Sequence, residues 1–354
     1  MIRREVRVSR AELAKQTAIR PPTVSAVVKE LISEGLVKEV GTGATSGGRA
    51  PRMVSLDDGR PLALGFELSE TSIHAGLCNL TGGLTARYKV AIDPQSPSDA
   101  VEELYAIGDQ LLREASLQWD QLEGVGVAVP GRLSQMEGLI HWSRPFGWLD
   151  VPFKQMCEAR WNIKTDLVND SLAGGMAAHQ FELESPVDNL VFLYLRFQDV
   201  KLDVVGIGVG LIINGHPYCG EFGGAGEIST PLAHPVAHLA RAGHKFSGAE
   251  EFAESVQAGQ PEALAALSKV ANELAPLVRH TVNLLEPGVL MLGSDMPSLR
   301  DELLSALRDD LDKHHMDYEQ GRTELRASAL GDFGVVRGAA VPALQRLFRM
   351  PQWT

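Results

Sequence analysis

The sequence predicts an α/β protein with a small winged helix-turn-helix in front, and three observations carry that prediction. Charge is divided unevenly: through residue 56 there are ten Lys and Arg against five Asp and Glu, while the remainder holds 23 against 40. The first 58 residues pattern as two short helices, a strand, a Gly-rich turn and a second strand. From Pro61 strands and helices alternate, and the second half opens, like the first, with a strand pair around a polar or Gly-rich turn. A basic head on an acidic body is the asymmetry expected when one end of a chain meets phosphates.

Length and composition set wide bounds. At 354 residues and 44% apolar, the chain has material for two or three domains and more than one core. Cys78, Cys157 and Cys219 lie far apart with no CxxC pair, so neither a disulfide framework nor a thiolate zinc cluster is written, and reduced thiols in a cytoplasmic protein are the expectation. No signal-peptide pattern occurs, and no apolar run approaches the roughly 20 residues needed to span a bilayer.

In the head, Ser9 caps a helix over SRAELAKQT, with Glu12 three places on completing a capping box. AIR breaks the run. PPTVSAVVKELISEGLV follows as an amphipathic helix with Val24, Val27, Val28, Leu31 and Ile32 on its apolar face, Pro21 and Pro22 at its entry and Gly35 at its end. The pair reads as a helix-turn-helix that presents Pro22, Thr23, Ser25 and Lys29 to a major groove. GLVKEVGTGATSGGRAPRMVSL then reads as a wing, a strand and a Gly-rich turn carrying Arg49 and Arg52 ahead of a second strand, for backbone or minor-groove contacts. An ordinary helical hairpin is the competing reading of the two helices, and only MIRREVRV precedes Ser9 to cover their apolar side. This head is taken as residues 1–58.

In the body, PLALGFELSETSIHAGLCNLTGG holds two strand-like runs around a turn at Ser69 and Glu70, SDAVEELYAIGDQLLREAS is a helix and LEGVGVAVPG a buried strand. IKTDLVND is a strand and SLAGGMAAHQFE a helix, closing a first lobe over 61–175. The second, 176–354, continues with the strands NLVFLYLRF and VVGIGVGLIING. Helices follow over AEEFAESVQ and PEALAALSKVANELAPLVRHTVNLLE, then the strand GVLMLG, the helix SLRDELLSALRDDL, and a C-terminal helix expected to pack back on the first lobe. GIGVG is no dinucleotide cradle, because LIING continues it as strand where a helix N-terminus is needed; tight hairpin packing explains the glycines first, a phosphate-touching hairpin second.

The order SRAELAKQTAIRPPTVSAVVKELISEGLV with SGGRAP, then GVGVAVPG, LVNDSLAGG, GIGVGLIINGHPY and GGAGEI resembles the ROK family of sugar kinases and sugar-responsive repressors, over about residues 9 to 345. The resemblance implies a duplicated actin-like, ribonuclease-H-like pair of lobes with a sugar between them, preceded in the repressor branch by a winged helix. It places Asn169 and Asp170 at the sugar hydroxyls, Asp170 being the base in the kinases, adds Glu227 from the GGAGE stretch, and puts a further carboxylate at Glu251, with Glu250 as the other register. Arg132, just after GVGVAVPG, and Arg144 in SRPFGW complete the expected ligand set. The structural alternative is that Asn169 and Asp170 simply cap the helix starting at Ser171, the weaker of the two readings.

Three departures weigh against kinase chemistry. Where the kinases carry an aspartate and a Gly-rich phosphate loop, this chain has GFELSETS with Glu67 and Glu70, and a carboxylate beside ATP phosphates costs several kcal/mol, on the order of like charges a few ångströms apart at intermediate dielectric. The adenosine-side stretch reads GSD at Gly293 to Asp295, and RFQDVKLDVVGIG inserts charge before the second hairpin. The family's zinc site is replaced: Thr230 stands where a histidine would ligate and AHLARAGHKFSGA where the cysteines would, leaving His234, His238 and His244, of which His234 and His238 could share a helix face. No metal and no cofactor is expected. Arg144 would suit an acidic or phosphorylated sugar, or pair with a carboxylate. The reading is a sugar-responsive regulator, a repressor, that binds operator DNA as a dimer. An ATP-dependent sugar kinase with a regulatory head is the alternative, and a ligand-blind DNA-binding scaffold a third.

Overall fold

The structure, a computed structural model, describes residues 2, 7–43, 50–69, 71–185, 187–197, 204–228, 232–241, 243, 246–314 and 323–347. The head opens with β1 (Val8–Ser9), followed by α1 (Arg10–Thr17), α2 (Pro21–Ser33), β2 (Val37–Thr42) and β3 (Arg52–Leu56). The capping box at Ser9 and Glu12 is formed in both directions, and Ala18, at φ +56°, turns the chain into α2. β1 pairs with β3 and β3 with β2, so a three-stranded sheet closes the head. Val8, Leu13, Ala14, Val24, Val28, Val37 and Val54 form its core. Val27, expected on the buried face of α2, is 47% exposed; the apolar stripe is narrower than the pattern suggested.

The body repeats one topology twice. β4 (Ala63–Leu68), β5 (Ser72–Cys78) and β6 (Leu84–Ala91) form an antiparallel meander; α3 (Pro97–Glu114) leads to β7 (Gly124–Val129). A small three-stranded sheet of β8 (Arg132–Ser134), β9 (Leu139–Ser143) and β10 (Trp148–Val151) and the helix α4 (Phe153–Trp161) precede β11 (Thr165–Asn169). The main sheet runs β11-β7-β4-β5-β6, with β7 parallel to β4 and β11 parallel to β7. After α5 (Asp170–Ala177), β12 (Leu190–Arg196), β13 (Val204–Ile213) and β14 (His216–Tyr218) form a second meander. β15 (Leu232–Ala233), α6 (Pro235–Arg241), α7 (Ala249–Gln257) and α8 (Pro261–Leu285) lead to β16 (Val289–Ser294), α9 (Arg300–His314), β17 (Glu324–Ala327) and α10 (Gly334–Arg346). That sheet runs β14-β13-β12-β16-β17, with β16 parallel to β12 and β17 parallel to β16. Meander, first strand, two parallel strands: both sheets have the same order.

Side-chain alternation places the layers. Leu64, Phe66 and Leu68 of β4 and Val125, Val127 and Val129 of β7 meet α3 and α4 on one face. The other face is small, with Gly65, Gly126 and Ala128, and takes α10 so closely that a Cβ on Gly65 or Gly126 would strike the carbonyl oxygens of Val336 or Ala339. In the second sheet, Val191, Leu193 and Leu195 face α7, α8 and α9, while Leu190, Phe192 and Tyr194 face α5 and α10. α5 and α10 therefore form a shared middle layer between the sheets, crossing where a Cβ on Gly338 would land on the Ala173 carbonyl. Two glycines of GIGVG belong to this layer: a Cβ on Gly210 would meet the Ser171 carbonyl and one on Gly208 the Ser171 side chain, while one on Gly206 would meet the Arg196 side chain, so packing against α5 and Arg196, rather than a tight hairpin, requires them. Leu36 and Leu56 of the head join a cluster with Leu62, Leu80, Ala343 and Leu344, which ties the head to the end of α10. Among the described residues no helix is long and apolar enough to cross a membrane.

Candidate ligand site in the interlobe cleft

The site begins at the junction of β11 and α5. Asn169 is the N-cap of α5: its Oδ1 accepts from the amides of Ser171 (3.0 Å) and Leu172 (3.2 Å) and from the Ser171 hydroxyl (2.5 Å). The capping reading of this residue is therefore met, and capping fixes the amide so that Nδ2 donates to the Gly131 carbonyl (3.0 Å) and to Glu227 Oε1 (3.2 Å). Asp170 opens the helix and is 3% exposed. One of its oxygens accepts from the Ser171 amide at 2.8 Å and the other from the guanidinium of Arg196.

Glu227 reaches the same place from the opposite lobe. The GGAGE loop is stitched to β13 by a bridge between Glu227 and Gly208, and Gly226 adopts φ +88° with no room for a Cβ beside the Val209 carbonyl. Although the residue is exposed as a whole, its carboxyl lies against the Asn169 amide. Burial there, and next the charge of Asp170, push its pKa up against the opposing pull of Arg196. Arg132 lies at the lobe boundary and donates from Nε to the Phe222 carbonyl (2.9 Å), so it holds the loop that carries Glu227.

Arg196, at the end of β12, was not among the residues expected from sequence. It lies opposite Gly206, whose missing Cβ leaves room for the guanidinium stem, and its neighbours Asp170, Tyr194, Asp295 and Glu227 hold its charge firmly on despite burial. Its only sequence trace is the charge in RFQDVK, which reads as an insertion rather than as a partner for an aspartate 26 residues away.

Beside Arg196 is a cleft of about 670 Å³, open solvent included, lined by Glu67, Ser69, Ser72, His74, Lys89 and Asp295 among others. Glu67 is occupied: Tyr194 donates to it at 3.3 Å across the lobes, and His74 Nδ1 lies 3.3 Å from its other oxygen. Burial works against protonation of His74, but the hydrogen bond and charge of Glu67 outweigh it and raise the His74 pKa. Asp295 accepts from the Phe197 amide at 2.8 Å. Glu70 lies outside the described residues.

The remaining expected residues are dispersed. Glu251 is taken up by Ser247, whose amide and hydroxyl donate to it at 2.6 and 2.8 Å, and no contact joins it to Asn169, Asp170 or Glu227 among the described residues. Arg144 is exposed in the turn between β9 and β10. His234 does not share a helix face with His238: it precedes α6, is 1% exposed, hydrogen-bonds the Phe197 carbonyl through Nε2 and accepts the Val236 amide at Nδ1. Thr230 and His244 lie outside the described residues, and among those described no group of three His, Cys, Asp or Glu could hold a metal ion.

In the head, Pro22, Thr23 and Lys29 are exposed on α2 and Ser25 is half-buried. Arg52 belongs to β3 rather than to the Gly-rich turn, where the strand register pairs it with Thr42 and its guanidinium bonds Glu39 at 2.7 Å. Arg49 lies outside the described residues.

Comparison with known proteins matches the ROK family model over residues 63–239 and 234–346 and a winged helix-turn-helix DNA-binding model over residues 1–38. The chain belongs to the ROK family. A putative xylose repressor of Caldicellulosiruptor sp. (strain Rt8B.4) is 26% identical over 372 residues, covering 93% of this chain and 91% of its own. The transcriptional dual regulator NagC of Escherichia coli (strain K12) is 22% identical, covering 67% of this chain and 56% of its own. Among solved structures, a ROK family transcriptional regulator described as a homolog of the E. coli MLC protein superposes with a TM-score of 0.73 at 17% identity, over 95% of this chain and 92% of that one. A ROK family glucokinase of Streptomyces griseus, in complex with glucose and AMPPNP, superposes with a TM-score of 0.68 at 18% identity, over 80% and 99%. Kinases and regulators share this fold, and this chain carries a winged helix-turn-helix ahead of its ROK domain.

Proposed function

We propose that this ROK protein is a repressor that binds operator DNA as a homodimer through its winged helix, and that a sugar or sugar derivative held by Asn169, Asp170 and Glu227 changes its DNA affinity without being phosphorylated. The observation that carries the proposal is the engagement of Asp170 by Arg196. Phosphoryl transfer needs a base with the γ-phosphate positioned beside it and its charge neutralised. Here the guanidinium stands between Asp170 and the neighbouring cleft, its charge is met by Asp170 itself, and the hairpin that would face phosphates offers the carboxylate of Glu67. The lone pairs left on Asp170 and Glu227 suit adjacent sugar hydroxyls, and a hydroxyl can take over the Asn169 N–H that Glu227 now accepts.

A physical route from ligand to DNA supports the reading. Asp170 begins α5, α5 crosses α10 at Ala173 and Gly338, and Leu344 near the end of α10 packs in one cluster with Leu36 and Leu56 of the head. A sugar that replaces the direct hydrogen bond between Asn169 and Glu227 with bonds to its own hydroxyls shifts the lobe arrangement and so the head positions, provided it binds the two arrangements unequally.

The test is a pair of assays across pentoses, hexoses and amino sugars: thermal melting for binding and coupled ADP release for turnover. We expect at least one sugar to raise the melting temperature of the wild type and not that of Asp170→Asn, with no ADP released above background. Turnover that Asp170→Asn abolishes would establish the kinase in its place.

A further inference from the structure

The outward face of α2 is unusual for a helix in water. Val24 and Val28 point into the head core, with Leu31 and Ile32 packed against it. On the opposite side Thr23, Ala26, Val27 and Glu30, spaced i, i+3, i+4 and i+7, are all exposed. Val27 is exposed to 47%, and so is Ile19 in the turn just ahead of the helix. Lys15, Arg20 and Lys29 stand exposed around this strip, and none of the three is ion-paired among the described residues. An unpaired cationic rim is complementary to phosphates, whereas the side chains of Ala26 and Val27 at its centre can make no hydrogen bond to a base edge. The major groove offers such a strip one apolar partner, the C5-methyl group of thymine.

We propose that α2 reads thymine methyl groups in each operator half-site through Val27, with the methyls of Thr23 and Ala26 lining the same strip. Glu30, one turn further on, is the acceptor for a cytosine amino group and keeps the C-terminal half of α2 away from phosphates. The inference deepens the DNA-binding reading and rests on it. Specificity on this face is carried by shape and methyl contact, and Lys29 and Arg20 supply affinity with little choice of sequence.

The experiment selects duplexes from a random-sequence pool with the full-length chain, then replaces each thymine of the selected duplex in turn by deoxyuridine, which removes the methyl and leaves the pairing intact. One or two positions in each half-site should bind about fourfold more weakly as deoxyuridine, the worth of one buried methyl. Val27→Ala should bind the thymine duplex as weakly as the wild type binds the deoxyuridine one, and lose its sensitivity to the replacement. Because Val27 is exposed, the variant is expected to fold, which its melting temperature checks. A selected duplex that tolerates deoxyuridine everywhere within twofold, or a Val27→Ala variant that keeps the full penalty, overturns this inference alone. A chain that selects no duplex overturns the DNA-binding reading and this inference with it.

Discussion

Asp170 holds two donors in a nearly dry place, the Ser171 amide and the Arg196 guanidinium, so replacing it strands a charge. Asp170→Asn is expected to destabilise the chain by up to about 3 kcal/mol, because Arg196 keeps partial solvent access that softens the loss of its counter-charge; denaturant melts measure it. Adding Arg196→Met to that variant removes the stranded cation and should recover part of the loss. Glu227 gives a pH signature. Its folded-state pKa is raised by burial first and by Asp170 second, so its contribution to stability is full below the ordinary value of 4.5 and is lost as pH rises through the raised one. The wild type should therefore lose more stability than Glu227→Gln between about pH 4.5 and pH 7. At this scale the meeting of Asn169, Asp170 and Glu227 was expected because the resemblance to the ROK family assigned LVNDSLAGG and GGAGE to one place. Arg196 was not, since its role exists only where β12 and α5 meet in space.

The two helices of the middle layer join the Asp170 end of α5 to the head through the end of α10. Gly338→Ala puts a methyl on the Ala173 carbonyl, and separating α5 from α10 is expected to cost about 1–3 kcal/mol as overpacking. The same variant should blunt the effect of sugar on DNA affinity more than it weakens DNA affinity itself, which fluorescence anisotropy with and without sugar would reveal. In the head, Ser9→Ala removes one side of the capping box and should cost about 1 kcal/mol, read as earlier melting of the head. Long elements with strong periodicity, such as α3 and α8, and the fully buried strand β7 were plain in the sequence. β8, β9 and β10 were not: they are three to five residues long, mix exposed Trp142 and Leu149 with buried Ile140 and Trp148, and pair only with one another. The end of α5 was also blurred, because SLAGGMAAHQFE runs on as one helical pattern while the backbone widens into a π-helical turn over Ala178–Glu182.

Across the whole molecule, duplication explains why the cleft exists. Two sheets of the same strand order face each other through α5 and α10, and the first helix after each lobe's parallel strands ends up between them. Strand alternation foretold buried sheets, but only the paired topologies show that the small residues of β4 and β7 face inward, toward α10. The head's attachment to the end of α10 through Leu36, Leu56 and Leu344 gives the proposed ligand response and the proposed DNA binding a helix in common. The most direct test of the central claim is the affinity of the full-length chain for its selected duplex, measured across a sugar panel. The account predicts that one sugar class changes that affinity by at least about fivefold, the lower range of allosteric coupling, and that Asp170→Asn removes the change while still binding the duplex. An affinity that no sugar alters, in a chain whose melting temperature sugar does raise, would contradict it.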